Sequence, residues 1–213
     1  GENLVIEGKA ITLASTNPTD PCVVAATILD GQGYTGRGIT ISSGCGPDTV
    51  INGLTIANYS WFRVDRTSPP SDAYGADGYF GYNIWGGGLY ISTGASPTIT
   101  NCRIVNCSIS AGDASGGITG ATAGTNGVGG DGGRGGDGGS AFGGGIYCAP
   151  FSGPTIAACI IERCSVNAAN GASGATGGGA GYTAAQIRQM ASEFQNLTGI
   201  SDETYKNAAA IML

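Results

Sequence analysis

Histidine is absent from all 213 residues, which removes in one step the commonest acid/base side chain and the commonest metal ligand. Positive charge is nearly as scarce. Nine Lys and Arg stand against fifteen Asp and Glu, giving a net charge of −6 and a pI of about 4.4, and the only lysines are Lys9 and Lys206. A phosphate-binding surface needs clustered Lys and Arg, so no nucleic-acid partner is expected. No run approaches the roughly 20 apolar residues that span a bilayer, so no membrane span is expected either. The opening Gly1-Glu-Asn-Leu has no signal-peptide layout, so the chain reads as a mature or trimmed product. Its abrupt apolar finish, Ala-Ala-Ala-Ile-Met-Leu213, reads as a truncation. Charged residues make up only 11%, yet the 41% hydrophobic share is too apolar for a wholly disordered chain.

What is present is repetition and glycine, 41 residues of it. A 22-residue stretch occurs twice without a gap, 57 positions apart. Gly86-Gly-Gly-Leu-Tyr-Ile-Ser-Thr-Gly-Ala-Ser-Pro-Thr-Ile-Thr-Asn-Cys-Arg-Ile-Val-Asn-Cys107 returns as Gly143-Gly-Gly-Ile-Tyr-Cys-Ala-Pro-Phe-Ser-Gly-Pro-Thr-Ile-Ala-Ala-Cys-Ile-Ile-Glu-Arg-Cys164. Such self-similarity marks a repeat architecture, in which each unit buries its apolar face against the next. A period of two sends Leu89, Ile91, Ile146 and Cys148 to one face and Tyr90 and Tyr147 to the other. Pro97 and Pro154 force a corner, and a second strand follows with Ile99 and Ile156 inward. Cys102, Ile104, Cys159 and Ile161 extend the apolar series after a phase shift near Asn101 and Ala158 that implies a turn or bulge.

Three short strands and three corners per unit describe one coil of a parallel β-helix. An earlier coil follows the same order at Gly38-Ile-Thr-Ile41, Pro47 and Val50 to Asn58, with Leu54 and Ile56 in place of Cys102 and Ile104. Before it, Leu4 to Leu13 and Cys22 to Asp30 read as the strands of a first coil. The expected fold is therefore all-β: a right-handed parallel β-helix, or solenoid, of about four coils over residues 1–182. Its glycine-rich loop insertions fall at 59–85, 111–142 and 168–182, and a short helical tail follows at 183–213.

On Gly-Gly-Gly-Leu-Tyr at 86–90 and Gly-Gly-Gly-Ile-Tyr at 143–147, each followed by Pro-Thr-Ile and an Asn/Cys-rich strand, the chain resembles the secreted and surface-located right-handed parallel β-helix repeat proteins of bacteria. Glu2-Asn-Leu-Val-Ile-Glu-Gly-Lys-Ala-Ile-Thr-Leu13 and Ala26-Thr-Ile-Leu-Asp-Gly31 are also similar to the first coils of that group. The resemblance covers roughly residues 1–170. It implies an extracellular or cell-surface location and a structural or adhesive role, in a filament, surface layer or larger repeat protein, and less often a carbohydrate enzyme. About four coils leave two open strand edges, so a homo-oligomer or end-to-end assembly is expected.

Function on a solenoid usually sits in its outgrowths. The first insertion holds Trp61, Phe62, Tyr74, Tyr79, Phe80, Tyr82 and Trp85, edged by Arg63, Asp65, Arg66, Asp72 and Asp77. Trp61, Tyr74, Tyr79, Phe80, Tyr82 and Trp85 are the candidate ligand-binding residues, for glycans or a protein contact. The alternative is a small satellite core that covers the solenoid flank. The second insertion contains an X-Gly-Gly triplet repeat from Val128 to Ser140, and the third keeps triplet spacing at Gly171, Gly174 and Gly177. A period of three fits a polyproline-II-like chain with Val128, Asp131, Arg134, Asp137 and Ser140 on one edge. Two readings compete there: a disordered loop, or a packed bundle in which bare backbones satisfy one another. Asp131 and Asp137 are lesser candidates for calcium. Gly132 to Asp137 matches half of the Gly-Gly-X-Gly-X-Asp nonapeptide, but the apolar residue it requires two places later is Gly139.

Seven cysteines at 22, 45, 102, 107, 148, 159 and 164 point to an oxidising compartment, and their odd number leaves at least one unpaired within the chain. Cys102/Cys107 and Cys159/Cys164 fall above one another in neighbouring coils and read as buried fillers rather than a zinc site. Cys22 and Cys45, at coil corners, are the disulfide candidate. In the tail, Thr183-Ala-Ala-Gln186 is a capping box, and Ile187, Met190, Phe194 and Leu197 share one helical face, which suits a cap over a strand edge. Around Asn196-Leu-Thr-Gly-Ile-Ser-Asp-Glu-Thr the tail also looks like part of phage tail tape-measure proteins. Hydrolysis wants two carboxylates within roughly 5 to 10 Å. Paired aspartates on adjacent coils are not evident, so the reading leans against an enzyme, with no cofactor and no metal centre. A carbohydrate-binding module built on residues 61–85 is the first alternative, and a polysaccharide lyase or hydrolase the second.

Overall fold

The computed structural model describes residues 3–32, 34–63, 67–71, 73–122, 129–178 and Gln189. The helical tail expected at 183–213 lies outside the described residues apart from Gln189, as do Val128, Asp65, Arg66 and Asp72. The chain forms two compact units, one of residues 1–67, 79–115 and 136–172, the other of 68–78, 116–135 and 173–213.

The regular elements described in the first unit are short strands and one short helix. In chain order the unit runs through β1 (Leu4–Ile6), β2 (Thr12–Ala14), helix α1 (Pro21–Ala26), β3 (Ile28–Asp30) and β4 (Ile39–Ile41). Next come β5 (Val50–Asn52), β6 (Thr55–Ala57), β7 (Ser60–Phe62) and β8 (Ile84–Trp85). The first repeat copy supplies β9 (Leu89–Ile91), β10 (Thr98–Thr100) and β11 (Arg103–Val105), followed by β12 (Ser108–Ser110) and β13 (Ala141–Phe142). The second supplies β14 (Ile146–Cys148), β15 (Thr155–Ala157) and β16 (Ile160–Glu162), followed by β17 (Ser165–Asn167).

All pairings are parallel and fall into stacked sheets. Three are four-stranded, with orders β1-β4-β9-β14, β2-β5-β10-β15 and β3-β6-β11-β16; β7-β12-β17 and β8-β13 complete the set. The two repeat copies stack in register, Leu89 on Ile146, Ile99 on Ile156 and Ile104 on Ile161. Among the described residues the arrangement is all-β, parallel strands in stacked sheets with almost no helix, and it is compatible with a parallel β-helix.

Local sequence explains the short strands. Strands β5, β10, β6 and β11 end where the backbone crosses to positive φ, at Gly53 (71°) and Asn101 (52°) on one corner and at Asn58 (61°) and Asn106 (54°) on the next. Asn tolerates that region better than most residues. The side chains then ladder: Asn101 Nδ2 donates to Asn52 Oδ1 at 2.9 Å, and Asn106 Nδ2 to Asn58 Oδ1 at 3.2 Å. Between corners, alternation buries Ile39, Ile41, Ile51, Ile56, Leu89, Ile91, Ile99 and Ile104 in one core with Leu54, Cys102 and Cys107. A fully buried Ile or Leu is worth about 2 to 3 kcal/mol each. Glycine at 38, 88 and 145 lets the walls close. A Cβ at Gly88 would lie 2.6 Å from the Gly145 carbonyl oxygen and 2.8 Å from Ile104 Cγ2.

Three expectations change. Each repeat contributes a further strand after the three foreseen, because Ser108-Ile-Ser110 pairs with Ser60–Phe62 and Ser165–Asn167. Cys22 to Ala26 is helical rather than extended: Pro21 sits in the first turn, and the Asp20 carboxylate accepts the Cys22 N–H at 2.8 Å. The Cys22–Cys45 disulfide is not formed. Cys22 is an exposed thiol at the start of α1, whereas Cys45 is buried in the core with its Sγ 3.5 Å from the Ile6 carbonyl.

The described parts of the glycine-rich segments are held chiefly by backbone hydrogen bonds. Within the first unit, Gly81 and Ile84 N–H groups donate to Asp137 and Ser140 carbonyls, and Gly112 and Ser115 to Tyr82 and Tyr79. Gly136 and Gly139 donate to Ser115 and Gly112, and Ala169 and Ala172 to Gly139 and Gly136. The second unit repeats this three-residue step. Ile118 donates to Ala76, Gly117 and Gly120 to Ser173 and Thr176, and Gly133 to Ile118, while Ala175 and Gly178 donate to Gly133 and Gly130. A step of three is the polyproline-II period. Asp131, Arg134 and Asp137 are exposed while Gly133, Gly136 and Gly139 are buried, so the triplet leaves one position in three for a side chain. Asx side chains supply extra acceptors at the repeat spacing: Asp77 for the Arg134 N–H, Asn83 for Ser140 and Asp113 for Asn170, each at 2.7 Å.

Candidate binding surface

The feature with the most chemistry is a column of rings and guanidinium groups on the outside of the first unit. Tyr90 and Tyr147, on stacked strands, lie face to face with centroids 5.6 Å apart and planes at 17°, and Phe142 tilts against Tyr147 at 6.5 Å. The Arg37 guanidinium sits 4.2 Å from the Tyr90 centroid and 4.1 Å from that of Trp61. Arg63 follows, 5.3 Å from Trp61 and 5.6 Å from Tyr82. Cations over aromatic faces contribute about 0.5 to 2 kcal/mol each, more as water is excluded.

Arg37 anchors the column. Its Nε donates to the Trp85 carbonyl at 2.9 Å. Burial pulls its pKa down, and the neighbouring Arg63 charge acts in the same direction more weakly. A guanidinium remains charged under such pressure, whereas lysine would readily lose its proton. Beside the column lies an open groove of about 490 Å³ lined by Phe62, Arg63, Ser110, Asp113, Ala169 and Asn170. Phe62 and Arg63 are exposed, and the Asp113 carboxylate already holds the Asn170 N–H. A flat ring, a fork of N–H donors and a carboxylate acceptor thus line one groove.

The expected aromatic site divides. Trp61 and Tyr82 belong to the column, and Trp85 joins it through its carbonyl. Trp61 also packs on a satellite cluster of Ile84, Ile109 and Ala111, so the satellite-core alternative holds for that residue. Tyr79 and Phe80 are exposed in the first unit, and Tyr74 is exposed in the second. Asp131 and Asp137 are exposed, and among the described residues no group of three or more His, Cys, Asp or Glu is placed to hold a metal ion. Arg103 and Arg163 pair with Glu162 at 2.8 and 3.3 Å.

Arg37 and Tyr90 had not been singled out. The available signal was alignment: with Ile39 on Leu89, Arg37 takes the place of Gly87 in the glycine triplet, a charged residue where both later copies have none. The paired cysteines are stacked thiols. Cys102 and Cys159 Sγ point at the Ile51 and Ile99 carbonyls, and Cys107 and Cys164 at Ile56 and Ile104, at 3.6 to 3.8 Å. Burial pushes the Cys107 thiol up to about 12, and the hydrogen bond with Cys159, followed by burial, holds Cys102 well above its ordinary range. Cys102 and Cys107 are thus inert fillers, whereas the same hydrogen bond with Cys102 pulls the Cys159 thiol down to about 6.

No family model matches the chain, and no curated protein or solved structure matches it.

Proposed function

We propose that the chain is an extracellular structural or adhesive protein: a right-handed parallel β-helix of about four coils that works within a filament, a surface layer or a larger repeat protein. The in-register stacking of the repeat carries this reading. Strand after strand is spent on rung-to-rung pairing, and even the glycine-rich outgrowths are tied by backbone hydrogen bonds every third residue. Right-handedness is supported by the near-universal hand of parallel crossovers. Incubation of the full chain with insoluble cell-wall polysaccharide tests the adhesive role. Retention without change in the polymer is expected; release of unsaturated or reducing sugars would favour a lyase or hydrolase instead.

The column favours a second reading, a carbohydrate-binding module. Arg63 links the column to the groove, which it lines with Phe62, and with the exposed Tyr82 beside Arg63 this region has the composition of a sugar-stacking surface. A glycan array read with wild type, Phe62→Ala and Tyr79→Ala separates the two. Loss of about tenfold in affinity for Phe62→Ala supports the module, and no glycan signal from wild type removes it.

A further inference from the structure

Among the described residues of the first unit, strand pairing stops at β1–β3 on one side and at β14–β16 on the other, and the two rims match in register. At one end the outer strands are β1, β2 and β3; at the other they are β14, β15 and β16, one from each end in each four-stranded sheet. Core positions that are sealed in the middle are exposed at the second end: Ile156 at 40%, Ile161 at 52% and Val166 at 49%, against 0 to 1% for Ile99, Ile104 and Ile109. At the first end Leu13 and Leu29 are only partly buried, whereas Ile51 and Ile56, which stack on them, are fully so.

A polar ladder gives these ends opposite character. Asp30 Oδ1 accepts from Asn58 Nδ2 at 3.0 Å, Asn58 Oδ1 accepts from Asn106 Nδ2 at 3.2 Å, and Asn106 Oδ1 accepts from Arg163 Nε at 2.8 Å. The ladder starts on a carboxylate, which only accepts, and finishes on a guanidinium, which only donates. The backbone carries no such polarity, because parallel strands donate both ways: Thr55, Arg103 and Ile160 N–H groups donate back to Thr27, Leu54 and Cys102, while the corner amides donate forward. Gly31, Asn58 and Asn106 N–H groups each donate to the carbonyl of the next rung, at Ala57, Val105 and Glu162. Ser15, Gly53 and Asn101 do so toward Asn52, Thr100 and Ala157. By the same register Arg163 and Ala158 point their N–H groups beyond the last rung.

From this geometry we infer that the β14–β16 end docks head to tail on the β1–β3 end of a second copy of this chain, with Arg163 against Asp30 of that copy. This rests on the structural reading above and names its interface. The Ala158 and Arg163 N–H groups meet the Ala14 and Asp30 carbonyls of the second copy, Ile156 and Ile161 stack on its Leu13 and Leu29, and the Arg163 guanidinium reaches its Asp30 carboxylate. Such a contact is heterologous: each copy keeps one free end of each kind, so growth is open-ended rather than closed at a dimer.

Sedimentation velocity of the full chain over a wide concentration range tests it, with thermal melts run alongside to show that each variant is folded. Wild type is expected to form a concentration-dependent series of species. Asp30→Arg and Arg163→Asp each weaken association by about tenfold through like charges at the contact, and the Asp30→Arg/Arg163→Asp double variant restores it. A wild type that stays monomeric at every concentration overturns the interface, as does a dimer that stops growing and is indifferent to Asp30→Arg. Monomer that still binds cell-wall polysaccharide removes the interface and leaves the adhesive reading. Charge-dependent assembly without polysaccharide binding upholds the interface and removes adhesion.

Discussion

Residues 86–107 and 143–164 carry nearly the same sequence pattern and the same backbone path, yet one copy is core and the other is rim. Leu89, Ile99 and Ile104 are completely buried, while Ile156 and Ile161 are exposed although they stack on Ile99 and Ile104 in register. The difference lies outside the repeat. Among the described residues, the first copy has a neighbouring rung on both sides, β4–β6 and β14–β16, and the second has one on a single side. In a solenoid an apolar pattern fixes which way a side chain points, and the next rung decides what the pointing is worth.

That comparison can be broken by mutation. The largest contrast is expected between Ile104→Ala and Ile161→Ala under conditions where the chain is monomeric. The first leaves a cavity between two rungs and costs about 3 to 4 kcal/mol, while the second trims a side chain already half in water and costs about 1 kcal/mol. Denaturant unfolding of both variants measures it, and equal losses would show that the rim is sealed. A smaller contrast separates Gly88→Ala from Gly145→Ala. The new methyl at 88 runs into the Gly145 carbonyl oxygen, whereas at 145 it meets Ile161 Cγ2 at 2.9 Å and Cys164 Sγ at 3.2 Å on a wall with room to shift. Overpacking of about 2 kcal/mol is expected at 88 and about half that at 145.

The thiols sharpen the same point through pH. Burial raises Cys107 from its ordinary 9.0 to about 12. A raised folded-state pKa gives stability that is complete below 9.0 and is lost as pH climbs toward 12, at about 1.4 kcal/mol per pH unit. Alkaline melts should show that loss in wild type and a shallower one in Cys107→Ala.

Much of the coil was legible in the sequence because it depends on neighbours within three residues. Inward Leu89 and Ile91, outward Tyr90 and the corner at Pro97 follow from alternation and proline stereochemistry. The phase shift at Asn101 and Ala158 is a left-handed residue in each copy, with φ of 52° and 51°. Ser108–Ser110 was missed because Ser-Ile-Ser offers a single apolar residue and becomes a strand only through β7 and β17 on either side. Helix α1 was missed because Val23, Val24 and Thr27 read as strand, while the capping carboxylate of Asp20 and the proline after it decide otherwise. Of the candidate surface, the rings were visible but the column was not. Arg37 is 24 residues before Trp61 and 53 before Tyr90, and only rung stacking brings the three together.

Hydrogen exchange on dilute, monomeric protein tests the rung-and-rim account most directly, because it reads equivalent amides in the two copies. Asn101 and Asn106 donate to Ala157 and Glu162 in the next rung, and their counterparts Ala158 and Arg163 face away from the last described rung. The account predicts strong protection at Asn101 and Asn106 and exchange close to that of free peptide at Ala158 and Arg163. Equal protection at all four would contradict it.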